Sequence, residues 1–330
     1  MRIAIIGCGA IGGYVAARLA LAGEQVTVVA RGANLAAVRA RGITLSTSGG
    51  AESVVRDITA VPDCAAAGVQ ELVILAVKAH QLAGVAGDVP RLCGAATVVV
   101  TMQNGIPFWY FHQHGGELSG TVLQSVDPSG HIARNIPAER IIGCVVYPAA
   151  ELLAPGIVRH IEGERLPLGE LDGASSERVL RISQCLTRAG FKAPVLSDIR
   201  AEIWLKLWGN LSFNPVSALT RATLLDICQC PPTRALAAAM MTEAQTIAHK
   251  LGIAFRVSLD RRIAGAERVG RHKTSMLQDI EAGRPPETEA LLGAVVELAQ
   301  LTGTPTPNID AVYALMLLLA RTVTQPRAPS

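Results

Sequence analysis

The chain of 330 residues is poor in charge. Only 17% of its residues are Asp, Glu, Lys or Arg, against about 25% in an ordinary globular protein, while 50% are apolar. Disordered chains show the opposite balance, so disorder is excluded. An excess of one sign is missing too. Lys and Arg total 30 and Asp and Glu 27, a net charge of +3, which is too small to make a polyanion the expected partner; nucleic acid is not among the expected ligands. A disulfide framework is also absent. Cys8, Cys64, Cys93, Cys144, Cys185, Cys228 and Cys230 are odd in number and scattered, the pattern of reduced thiols in a cytoplasmic protein. Around the one close pair, Cys228 and Cys230, nothing in the sequence completes a metal site. No apolar run reaches the ~20 residues that span a bilayer. The stretch from Met1-Arg2 to Leu21 imitates a secretory signal, but Gly7, Gly9, Gly12 and Gly13 would interrupt a signal helix. The expectation is a soluble, cytoplasmic protein with no membrane partner, and nothing in the composition is at odds with a homodimer.

At roughly 150 residues per domain the length calls for two domains, enough to enclose a cleft. Up to about residue 195, short β-branched runs alternate with helical segments: Ile3 to Ile6, Gln25 to Val29, Glu71 to Val77, Thr97 to Thr101 and Val122 to Val126. Such alternation predicts βαβ units and a doubly wound parallel sheet of Rossmann type. From Ile141 to Leu168 the runs crowd together (Gly143 to Tyr147, Gly156 to Ile161, Arg165 to Leu168), which predicts hairpins closing one edge of that sheet. A helix from Ser175 to Ala189 and a short run from Phe191 to Leu196 complete this half. After Ser197 apolar residues recur at helical spacing, through Trp204, Leu207, Trp208 and Leu211 and again through Leu236, Met240, Ala244, Ile247 and Leu251. The fold class is therefore α/β, with a nucleotide-binding domain over residues 1–197 and an all-helical domain over 198–330. The tail after Thr322 is expected to fray.

The run Ile3-Ala-Ile-Ile-Gly7-Cys8-Gly9-Ala10-Ile11-Gly12 is a strand entering Gly-x-Gly-x-x-Gly and then a helix over Tyr14 to Ala22. Gly7 serves the tight turn, Gly9 the approach of a pyrophosphate, Gly12 the packing of helix on strand, and the phosphates face the helix N-terminus. The alternative is a merely structural βα turn. An NAD site normally ends its second strand in Asp or Glu, but here the chain reads Val28-Val29-Ala30-Arg31. With no carboxylate to repel a 2′-phosphate and a guanidinium available to fork onto it, NADP(H) is the expected cofactor; the other reading of Arg31 is a solvated surface residue. Lys78 and Asn104 follow two further strand runs and would emerge at carboxyl ends of strands, where open α/β sheets hold ligands, so both are candidate cofactor-binding residues. Lys78 also reads as an ordinary exposed lysine, and Asn104-Gly105 as a plain turn.

In Ile199-Arg-Ala-Glu202-Ile-Trp-Leu-Lys206-Leu-Trp-Gly-Asn210-Leu-Ser-Phe-Asn214-Pro215, Lys206 and Asn210 share a helix face with Glu202 one turn earlier. A lysine with a positioning asparagine is a candidate proton donor; the alternative is a solvent-exposed polar stripe.

The chain resembles the ketopantoate reductase family (2-dehydropantoate 2-reductase). The resemblance rests on Gly7-Cys-Gly-Ala-Ile-Gly12, Arg31, Leu75-Ala-Val-Lys78-Ala, Gln103-Asn104-Gly105, Arg200-Ala-Glu-Ile-Trp-Leu-Lys206 with Asn210 and Asn214-Pro215, Thr274-Ser275-Met-Leu-Gln-Asp279, and Arg284-Pro-Pro-Glu287. It implies that Lys206 is the general acid and that Asn104, Asn210, Asn214, Ser275 and Glu287 line the substrate site. By the same resemblance, Arg31 and Lys78 lie on the cofactor side. The implied reaction is NADPH-dependent reduction of a 2-oxo acid, 2-dehydropantoate first among them, in pantothenate and coenzyme A biosynthesis. Two stretches depart from the family pattern and bear on the substrate: Leu224 stands where some members carry a further Asn, and Pro286-Glu287-Thr288-Glu289 replaces the common Thr-Glu-Ile-Asp.

The chemistry agrees with those roles. Hydride transfer to C2 builds negative charge on the former carbonyl oxygen, which a lysine ammonium stabilises and then protonates, best where desolvation brings its pKa toward neutrality. Asn and Ser hold a substrate carboxylate without competing for that proton, and Glu287 accepts from a substrate hydroxyl or orients Lys206. Apart from the resemblance, Ser275 reads first as the N-cap of a capping box with Gln278. The basic run Arg256, Arg261, Arg262, Arg268, Arg271, His272, Lys273 either draws anions or is a solvated helix face. A β-hydroxyacid or opine-type dehydrogenase and a non-enzymatic NADP-sensing protein remain the alternatives.

Overall fold

A computed structural model describes residues 1–47 and 49–324. The chain divides into two compact units. One comprises residues 1–103, 108–122 and 129–199; the other comprises 104–107, 123–128 and the chain from Arg200 onward.

The first unit runs β1 (Arg2–Ile6), α1 (Ala10–Leu21), β2 (Gln25–Val29), α2 (Gly32–Arg41), β3 (Ile43–Thr47), β4 (Glu52–Val55), β5 (Ile58–Val61), α3 (Cys64–Ala67), β6 (Gln70–Leu75), α4 (Ala83–Ala86) and β7 (Cys93–Thr101). It continues through α5 (His131–Asn135), β8 (Ile141–Cys144), β9 (Ala149–Ala154), β10 (Ile157–Glu162), β11 (Leu168–Gly169) and α6 (Glu177–Arg188). Seven strands form one sheet in the order β11-β8-β7-β6-β1-β2-β5. All its pairs are parallel except β11 on β8. The run of apolar residues in β1 follows from this topology: with parallel neighbours on both edges and cover on both faces, Ile3, Ala4 and Ile5 are wholly buried.

Ile141 to Leu168 does not simply close that edge. β8 and β11 extend it, but β9 and β10 form a hairpin through Pro155-Gly156, with Gly156 at φ +75°. That hairpin belongs to a separate sheet ordered β4-β3-β10-β9, in which β10 runs parallel to β3. Val122 to Val126 is no strand. Val122 ends a stretch of the first unit, and Leu123 to Pro128 belongs to the second. There the Glu297 carboxylate accepts the Gln124 N–H at 2.8 Å and the Ser125 N–H at 2.9 Å, so hydrogen bonds to a side chain replace those of a sheet ladder.

The second unit holds α7 (Ile199–Thr220), α8 (Leu224–Gln229), α9 (Pro231–Lys250), α10 (Leu259–Val269), α11 (Ser275–Glu281), a π-turn over Glu289–Gly293, α12 (Ala294–Leu301) and α13 (Pro307–Thr324). Trp204, Leu207, Trp208 and Leu211 are buried along one side of α7, and Trp208 donates its indole N–H to the Met241 carbonyl at 2.6 Å. From α9, Met240, Ala244 and Ile247 are wholly buried. Val323 and Thr324 still belong to α13; the rest of the tail expected to fray, residues 325–330, lies outside the described residues. Among the described residues no helix is long and apolar enough to cross a membrane.

Candidate active site

In the first unit, Gly7 leaves β1 at φ +98°, and a Cβ there would meet the Val77 backbone N at 2.9 Å. At Gly12 a Cβ would stand 1.8 Å from the Gly7 carbonyl oxygen, whereas at Gly9 nothing lies within 4 Å. Two glycines are thus required by the protein's own packing, and the third faces open space. Gly9 is the N-cap of α1 and brings no side chain to it, so the first N–H groups of the helix lack a capping oxygen and point at that space. This cradle fits a pyrophosphate. Cys8 contributes backbone only: burial pushes its thiol up to about 11, which keeps it protonated and inert. Its carbonyl accepts from the Asn34 amide at 2.7 Å, while Asn34 Oδ1 accepts the Gly156 N–H at 2.9 Å. Asn34 therefore braces the glycine loop, and a lone Asn in a helix carries no sequence signal of such a task.

Ala10 and Ile11 open α1, and Arg31 is the exposed N-cap residue of α2, just past β2. It makes no ion pair with any described residue, and no carboxylate occupies the end of β2, so the environment suits a 2′-phosphate. Lys78 is half-buried three residues beyond β6. Gln103 bonds the carbonyls of Leu75 and Val77, at 2.8 and 2.9 Å, and ties together the chain just past β6 and β7.

In the second unit, Lys206 Nζ donates to Asn104 Oδ1 at 2.6 Å, and Asn104 Nδ2 donates to Glu287 Oε2 at 3.2 Å. Three residues far apart in sequence form one chain of hydrogen bonds. Its two ends fix the amide: the carbonyl must face the ammonium and the NH₂ the carboxylate. Glu287 reaches Lys206 through Asn104. Asn210 and Asn214 follow Lys206 at four and eight residues on α7, on the same face. This face is not a solvated stripe, because Glu202 is 1% exposed and paired with Arg256 at 2.9 Å, Asn214 is 7% exposed, and Lys206 and Asn210 are half-buried. The guanidinium of Arg262 lies so close over Gly209 that a Cβ there would meet Nη2 at 2.1 Å.

Ser275 is not a cap. Thr274 is the N-cap residue of α11, accepting the Leu277 N–H at 3.2 Å, and Ser275 is the exposed first helical residue. The side chain that lies before the first turn is the one that can reach back to it, so the capping oxygen falls to Thr274. Much of the basic run is engaged locally: besides Arg256, Arg271 pairs with Asp226 at 3.4 Å and Lys273 with Glu281 at 2.8 Å.

A nucleotide-type sheet with an open glycine cradle, and a helical unit holding a lysine against an amide and a carboxylate, define a two-part oxidoreductase. Residues 3–173 match the family model for ketopantoate reductase PanE/ApbA, and residues 198–320 match that for the ketopantoate reductase PanE/ApbA C terminal region. The chain belongs to the ketopantoate reductase family. It is 53% identical to a 2-dehydropantoate 2-reductase of Mesorhizobium japonicum, over 97% of this chain and 98% of that protein. A crystal structure from Ralstonia solanacearum MolK2, provisionally called a ketopantoate reductase, superposes with a TM-score of 0.93 at 43% identity, covering 98% of this chain and 99% of that one. The 2-dehydropantoate 2-reductase of Methylococcus capsulatus gives a TM-score of 0.83 at 28% identity, covering 99% of both chains.

Proposed function

We propose that this protein is an NADPH-dependent reductase of a 2-oxo acid, with 2-dehydropantoate as substrate and pantoate as product, serving pantothenate and coenzyme A synthesis in the cytoplasm. Residues 1–197 hold the dinucleotide and residues 198–330 the oxo acid, with Asn104 joining the second group. The observation that carries the reading is the hydrogen-bonded chain Lys206–Asn104–Glu287, and the 53% identity to a protein of that name supports the choice of substrate.

A dinucleotide held in the glycine cradle would supply the hydride for C2 of the oxo acid. Lys206 presents its ammonium to the oxygen on which charge accumulates, stabilises it and gives up the proton. Asn104 aims the ammonium, and Glu287 holds Asn104 in the orientation that does so. Asn210, Asn214 and Ser275 offer neutral donors to the carboxylate and hydroxyl of the substrate, which fixes its pose without competing for the proton. On the cofactor side the N–H groups at Gly9, Ala10, Ile11 and Gly12 would hold the pyrophosphate, Arg31 would take the 2′-phosphate, and Lys78 would add a second cation.

Steady-state oxidation of NADPH and of NADH across a set of 2-oxo acids tests this reading. The expected result is turnover with NADPH far above NADH and with 2-dehydropantoate above the rest. Faster turnover of another 2-oxo acid would move the substrate, and tight NADPH binding without any turnover would make the protein a sensor.

A further inference from the structure

Just past Glu287 the backbone leaves the α-helical pattern. Over Glu289–Gly293 it forms a π-turn, and the Ala294 N–H that closes it bonds the Glu289 carbonyl, five residues back. In an α-helix that N–H would take the carbonyl of Ala290. The Ala290 carbonyl is thereby released, and it accepts the Ile106 N–H at 3.1 Å. Gly105 fits against the same oxygen: it sits at φ +85°, and a Cβ there would stand 2.0 Å from it. The segment Asn104-Gly105-Ile106 is therefore pinned to the turn that begins two residues after Glu287.

The turn is tied on a second side. The Glu289 carboxylate lies across Gly293, where a Cβ would meet Oε2 at 2.2 Å, and it accepts the Tyr313 hydroxyl of α13 at 2.8 Å. Burial, and then the Glu289 carboxylate, push the Tyr313 hydroxyl up to about 12, so it remains a donor at any working pH. Neither Glu289 nor Tyr313 hydrogen-bonds Lys206, Asn104 or Glu287 in the bonds described for them.

We propose that the π-turn, locked by Glu289 and Tyr313, is the positioning device of the site: it sets Asn104 against Glu287 and, through Asn104, aims the Lys206 ammonium. Glu289 and Tyr313 are positioning residues. Relaxed to an α-helix, the turn would recapture the Ala290 carbonyl, leave the Ile106 N–H without its acceptor and release Asn104. The aim of the lysine rests on the reading of Lys206 as proton donor, whereas the placement of Asn104 does not.

The test uses the full chain with Glu289→Ala, Tyr313→Phe and Glu289→Gln, the last keeping an oxygen that accepts from Tyr313. Misaligned catalytic groups lose rate steeply, so kcat of Glu289→Ala and Tyr313→Phe should fall by about threefold to tenfold at unchanged NADPH affinity, with Glu289→Gln within about twofold of the parent. Unchanged kcat in the first two variants beside a lowered Tm would overturn the proposal, because a merely structural tie alters stability alone. The Asn104 side-chain amide resonance in ¹⁵N-labelled protein without substrate separates this claim from the functional reading. If the parent turns over no 2-oxo acid, that reading fails, and a shift of the Asn104 signal toward a free amide in Glu289→Ala still supports the positioning device. An unmoved signal overturns it.

Discussion

Asn104→Ala cuts both bonds of the proposed catalytic chain at once. Oδ1 accepts from Lys206 at 2.6 Å and Nδ2 donates to Glu287 at 3.2 Å. Hydrogen bonds to ionised partners contribute about 1.5–3 kcal/mol each, and the shorter of the two is the one that aims the ammonium. If that bond alone is lost from the transition state, kcat/KM falls by about 10- to 150-fold, since 1.36 kcal/mol is a factor of ten. Asn104→Asp separates geometry from charge. It keeps an acceptor for Lys206, but a carboxylate beside the ammonium strengthens its hold on the proton, so the basic limb of the pH–rate profile should move to higher pH. Both are read by steady-state NADPH oxidation with 2-dehydropantoate. A kcat/KM for Asn104→Ala within about twofold of the parent would refute the idea that the amide aims the lysine.

Arg31→Ala should weaken NADPH by about tenfold or more while leaving NADH unchanged, as expected for loss of a charge-assisted bond to a 2′-phosphate; equal losses for both dinucleotides would remove Arg31 from that role. The glycine loop offers a paired contrast. Gly12→Ala sets a Cβ 1.8 Å from the Gly7 carbonyl and should lower Tm, whereas Gly9→Ala meets nothing within 4 Å and should keep Tm yet impair dinucleotide binding. Undiminished NADPH affinity in Gly9→Ala would take the loop out of the site. Glu24 is buried. Burial alone would raise its carboxyl, but hydrogen bonds from the Met1 amino group, Arg188 and Cys185 outweigh this and hold it below the usual range. Its contribution to stability is therefore complete above the unfolded-state pKa and lost as pH falls through the lower folded one. Acid unfolding followed by circular dichroism should show Glu24→Gln less stable than the parent near neutrality, with the gap closing on acidification; a constant gap contradicts the assignment.

Much of the nucleotide half was legible because glycine and β-branched residues act locally. The turn at Gly7 needs positive φ, and a parallel strand buried on both faces reads as an unbroken apolar run such as Ile3 to Ile6. β3 and β4 were missed because the signal is weak where a strand is half-solvated: three of the four residues of β4 are exposed. β5 is largely buried but only four residues long, too short a run to stand out. Glu202, Lys206 and Asn210 were visible as one helix face, being set by the helical period alone, whereas Asn214 entered only through the family resemblance. That Asn104 reaches both Lys206 and Glu287, across 102 and 183 residues of chain, is a tertiary fact that no spacing encodes. The π-turn has no sequence pattern of its own either, since it is fixed by the Ile106 N–H that takes up the carbonyl it releases.

The account stands most directly on Lys206→Ala, assayed for kcat with 2-dehydropantoate and, separately, for NADPH binding. It predicts a kcat lower by about a hundredfold or more, the scale of a lost general acid, with NADPH affinity nearly unchanged. An unaltered kcat would contradict it.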